Sequence, residues 1–117
     1  MYYPVEFTLR DLLNETIRLA KENPTYRYES PIGYNMCLYT EAKDSKTKGC
    51  LLGQALINLD PTLRIPLDKE WSCSTIGIVL MYMFNRTEEN IPTLNELCII
   101  QRLQDQGVEW GKCILKT

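Results

Sequence analysis

A single α+β domain, mainly helical, with about four helices and a small antiparallel sheet, is the fold class that the sequence predicts, and three observations carry it. With 117 residues the chain has the length of one domain and can bury a core without metal or disulfide staples. Apolar residues recur at helical spacing in four windows. Between the first two windows, tyrosines alternate with charged and polar residues, as in short half-buried strands.

The elements follow in order. Thr8 is suited to cap a first helix, Asp11 can reach back to it, and Leu9, Leu12, Leu13, Thr16, Ile17 and Ala20 share one face up to Asn23 and Pro24. Residues 24–31 read as a connector with a short edge strand at 26–29, and residues 35–41 as the better strand candidate. The polar loop 43–49 leads into a second helix over 51–59, which Asp60 and Pro61 end. Residues 64–71, punctuated by Pro66, read as irregular. Ser72 or Ser74 can cap a third helix running to Phe84, apolar nearly all round and so expected at the centre of the core. Thr93 can cap a fourth, with Gly107 as its stop, and a short turn over 108–115 closes the fold.

Composition removes several classes of function. Hydrophobic residues make up 44% and charged residues 24%, as in ordinary globular chains. Net charge is −2, with Lys and Arg interleaved among Asp and Glu, so nonspecific nucleic-acid binding is not supported. The opening MYYPVEFTLRDLL lacks the pattern of a secretory signal, and the longest apolar run, 76–84, is about half of the roughly 20 residues that a membrane span needs. The expected location is the cytoplasm, where the five cysteines would be reduced.

The chemistry is shaped by what is missing. There is no histidine, which takes away the commonest general base, the partner of most nucleophiles and the usual zinc ligand. No C-x-x-C pair occurs, and the acidic residues form no D-x-D cluster. Neither catalytic residues, nor a metal site, nor a cofactor is therefore predicted, with a Cys50-dependent activity as a minor alternative. The stretch KTKGCLLGQ is the sharpest candidate for ligand binding: a helix start with unpaired N–H groups, flexible glycines and two lysines favours an anion. Its residues are Lys46, Lys48, Gly49, Cys50, Gly53 and Gln54. The competing structural interpretation makes Gly49 a turn, Cys50 a buried small residue, and Gly53 the point where the helix approaches a strand at 37–39. All tyrosines but Tyr82 precede residue 40, and Tyr26, Tyr28 and Tyr34 are the candidate partner surface. Trp110, just beyond Gly107, is placed to fold back on the fourth helix as a clasp.

Two segments, Cys50-Leu51-Leu52-Gly53-Gln54-Ala55-Leu56 and Gln101-Arg102-Leu103-Gln104-Asp105-Gln106-Gly107 followed by Trp110-Gly111, carry a resemblance. Their pattern is similar to small uncharacterised phage and actinobacterial proteins that run from a strand through a C-x-x-G-x-A-L helix and a middle helix to Q-x-x-Q-D-x-G-x-x-W-G. The resemblance implies a mobile-element context, with a host cell's cytoplasm as the location, and no particular activity. The leading functional expectation is a small non-catalytic interaction protein that binds a host protein or protein complex, for instance in interfering with host defence. The alternative is binding or sequestration of a small anionic ligand, such as a signalling nucleotide, at residues 46–54. A homo-oligomer is compatible with either.

Overall fold

Thr8 opens the first helix in the manner its sequence predicts. Its Oγ1 accepts the Asp11 N–H at 3.0 Å while Asp11 Oδ2 accepts the Thr8 N–H at 2.9 Å, so two donors that a helix start leaves open are satisfied reciprocally. In the computed structural model, which describes residues 3–29, 38–40, 49–72 and 74–114, this helix is α1, Leu9–Glu22. Its inner face buries Leu9, Leu12, Leu13, Thr16, Leu19 and Ala20, and the Thr16 hydroxyl is satisfied by donating to the Leu12 carbonyl. On the outer face Arg18 bridges Glu15 and Glu22, and Glu15 also accepts from Asn58 of the next helix.

That helix, α2, spans Leu51–Leu59, and Asp60 ends it while capping a 3₁₀ turn over Pro61–Leu63. The region expected to be irregular is instead a short helix, α3, at Arg64–Asp68. Pro66 is tolerated there because it falls in the first turn, where no intrahelical N–H bond is lost. Helix α4 is Ile76–Met83, with Thr75 at its start rather than either serine. Helix α5, Ile91–Asp105, begins two residues before the predicted cap because Pro92 fits the first turn with its fixed φ. Its end is a Schellman arrangement: Val108 N–H bonds Leu103 O, Gly107 N–H bonds Gln104 O, and Gly107 takes φ 82°.

The expected antiparallel sheet is corrected by the structure, which is all-helical among the described residues. Every regular element described is a helix, and no strand occurs among these residues. The tyrosine pattern at 26–29 arises from two separate tertiary contacts instead. Tyr26 lends its carbonyl to the Trp110 N–H at 2.9 Å and its ring to the Trp110 indole, edge-on at 4.6 Å between centroids. Tyr28 is buried, and its hydroxyl accepts the Leu38 N–H. Of the second strand candidate only 38–40 is described; it is a bend whose Leu38 carbonyl accepts the Cys50 N–H at 2.8 Å. The rest of 35–41, all of the loop expected at 43–49 except Gly49, and Tyr34, Lys46 and Lys48 lie outside the described residues.

The core is built where α1, α2 and α5 meet, with α4 against α5 and a last short helix, α6 at Trp110–Cys113, against both α1 and α5. The sequence predicts the clasp on α5; α6 does pack there, and it also closes on the connector after α1: besides the Tyr26 contact, Gly111 N–H bonds Pro24 O at 2.9 Å, an approach that a side chain at position 111 would obstruct. A second aromatic group sits at α4, where Trp71 stacks on Tyr82 and meets Tyr3 edge-on. Helix α4 is not central as expected. Its eight residues bury Ile76, Val79, Leu80 and Met83 but leave Ile78 and Met81 46% and 53% exposed. Among the described residues, no helix is long and apolar enough to cross a membrane.

Candidate functional site

Around Cys50 the described residues form a buried polar joint between α2 and α5. Cys50 begins α2 without a side-chain cap, so the helix start needs acceptors from elsewhere. One comes from α5: the Leu51 N–H donates to Gln104 Oε1 at 3.0 Å. The Gln104 amide in turn donates to Asp105 Oδ1 at 2.8 Å. Gln101 donates to the same carboxylate oxygen and to Cys50 Sγ, each at 3.2 Å. Both glutamines are buried, so their bonds to Leu51 and Cys50 replace water that is absent there, while Asp105 is exposed at the edge of the joint. The positive end of α2 thus faces a neutral amide oxygen from the protein itself.

The residues expected to hold an anion are placed accordingly. Gly49, Cys50 and Gly53 are buried, and Gln54 spends its amide on the Gly49 carbonyl at 2.6 Å. A Cβ at either Gly49 or Gly53 would overlap the Tyr39 carbonyl oxygen, so both glycines serve close approach of α2 to the 38–40 bend. Of the candidate partner tyrosines, Tyr28 faces inward and Tyr26 is 36% exposed with its ring on Trp110. The two segments that carry the resemblance are brought together here. Cys50 and Gly53 from one meet Gln101 and Gln104 from the other or the bend between them, while Gly107, Trp110 and Gly111 turn and clamp the chain end.

Beside this joint the surface opens into a groove along the seam of α4 and α5. One part, about 360 Å³, lies between Tyr39, Gly77, Cys98 and Arg102. The other, about 280 Å³, lies between Ile78, Met81, Arg86, Ile91 and Leu94. Thr75, Gly77 and Cys98 border both, so the two parts adjoin along the seam. Gly77 lies on the seam, where a Cβ would stand 3.4 Å from Cys98 Sγ. Ile99, 43% exposed, lies one turn from both Asn95 and Arg102 on the same side of α5. Burial pushes the Cys98 thiol above its ordinary range, and burial together with Asp105 pushes Cys113 up to about 11.

Chemically, the groove offers apolar walls and two guanidinium groups. Among the described residues neither Arg86 nor Arg102 has a carboxylate in ion-pair reach, whereas Arg18 and Arg27 do. Nor does any group of three or more Cys, Asp or Glu side chains converge as a metal site would, again among the described residues. The sequence reading missed this groove because it assigned the whole apolar run of α4 to the core. A run that is apolar on every side is ordinarily wholly buried, so the sequence carried no sign that one face of α4 remains outside. The chain matches no family model, and neither a curated protein nor a solved structure matches it significantly.

Proposed function

We propose that this chain is a non-catalytic protein-binding module and that the α4–α5 groove is its contact surface. The observation that carries this reading is the exposure of Ile78 and Met81 beside a groove: large apolar side chains gathered on one face of a small domain mark an interaction site. The resemblance to phage and actinobacterial proteins supports seeking the partner among the proteins of a host cell, where the chain would act by covering a surface of its target. The Cys50 region supports this division of labour, since its glutamines and glycines are engaged in holding α2 against α5 and the 38–40 bend.

The test is site-directed photocrosslinking in host cells. A photoreactive residue at Met81 should yield one dominant adduct, absent when the same residue replaces exposed Lys21 on α1. Equal adducts at both positions, or none at position 81, would remove the reading.

A further inference from the structure

We infer that the groove takes an amphipathic α-helix with carboxylates flanking its apolar stripe. This inference rests on the protein-binding reading above and names the chemistry of the partner. Three features of the groove lead to it. First, its walls at Ile78, Met81, Ile91 and Leu94 are apolar and present no strand edge. An extended peptide laid there would leave its backbone N–H and C=O groups without partners, whereas a helix satisfies its own. Second, the α5 side of the groove runs from Ile91 to Asp105, the full 15 residues of that helix, or roughly 22 Å, which matches about four turns of a docked helix. Third, Arg86 borders one part of the groove and Arg102 the other, and neither has a carboxylate partner among the described residues.

The charge argument also selects against a second copy of this chain. Among the described residues, the one carboxylate bordering the groove is that of Asp105, whose Oδ1 already accepts two glutamine amides. Two copies meeting through this face would bring two arginines against two arginines, a like-charge contact that opposes pairing. The chain as a whole is net negative, so the local positive character belongs to this groove and does not reflect general basicity. Acidic groups near both ends of the docked helix would complement it and orient the helix along the seam.

The experiment is selection of a displayed library of random peptides, about sixteen residues long, on the full chain. Selected sequences should show apolar residues at i, i+3 or i+4, and i+7, with Asp or Glu enriched on both flanks. Binding of a selected peptide should fall at least about tenfold with Arg86→Glu or with Arg102→Glu, and changing the peptide's facing acid to Lys should restore it. Both arginines are exposed, and unchanged melting of the variants shows that the fold is intact. Enrichment without acidic flanks, binders lacking helical spacing, or binding indifferent to both charge reversals would overturn the inference. So would a dimer in sedimentation that Met81→Glu dissolves. Should position 81 capture a host protein while the library lacks this pattern, the partner's chemistry falls and the contact surface stands. Failure of both removes the protein-binding reading as well.

Discussion

Gln104 of α5 places its side-chain oxygen 3.0 Å from the backbone nitrogen of Leu51, so that the start of α2 is capped from another helix. Both groups are buried. Gln104→Leu keeps the volume but leaves the Leu51 N–H without its acceptor, which costs about 1–3 kcal/mol. Urea denaturation should show a lower midpoint at an unchanged slope. A variant as stable as the parent would show that the joint contributes nothing to the fold.

The contact of Gly53 with the 38–40 bend makes a second prediction. Gly53→Ala sets a methyl group against the Tyr39 backbone, which cannot move away as a flexible side chain would, and overpacking of this kind costs roughly 1–3 kcal/mol. Thermal melting should fall correspondingly, and Gly53→Leu should fall further. Melting like that of the parent for both variants would mean that α2 is not held against the bend.

Much of this core was legible in the sequence. Thr8 and Asp11 announce the start of α1, Gly107 announces the end of α5, and Gly53 marks a close approach. These features depend on local chemistry that a few adjacent residues express. The sheet was misread because Tyr26 and Tyr28 alternate with charged residues for a different cause: their partners are Trp110 and Leu38, at distances along the chain that periodicity does not encode. The Gln104–Leu51 cap spans 53 positions and was equally hidden. The groove was hidden by an ambiguity of composition, because IGIVLMYM reads the same whether all of its faces or only one are buried.

Acid should weaken the α1 surface network. Arg18, by hydrogen bonding and then by charge, together with Asn58, holds the Glu15 carboxyl below its ordinary value of 4.5. A carboxyl with a lowered folded pKa contributes stability that is present above the unfolded value and lost as pH falls through the folded one. Glu15→Gln should therefore melt lower than the parent at pH 7. The difference should shrink below about pH 4.5 and vanish once both forms are neutral. Added salt should also reduce it at pH 7, because Arg18 is exposed. A difference independent of pH would assign the effect to lost hydrogen bonding alone.

Thiol labelling distinguishes the joint from the groove. Cys50 is fully buried, whereas Cys98 borders the groove and is partly accessible. A maleimide at neutral pH should modify Cys98 before Cys50 in the folded protein, slowly because burial raises the Cys98 thiol, and should modify both quickly in urea. Peptide mapping by mass spectrometry reads the order. Rapid native labelling confined to Cys50 would bring a Cys50-dependent activity forward.

The central claim is that the chain meets its partner through α4 and α5 while the Cys50 joint holds the fold. Amide hydrogen exchange, measured with and without the partner captured at position 81, tests it most directly. The account predicts new protection across residues 75–86 and 91–105, with exchange at 49–54 slow in both states because those amides are already buried. Protection gained at 46–54 and absent from α4 and α5 would contradict it and put the alternative, the anion-binding helix start, ahead.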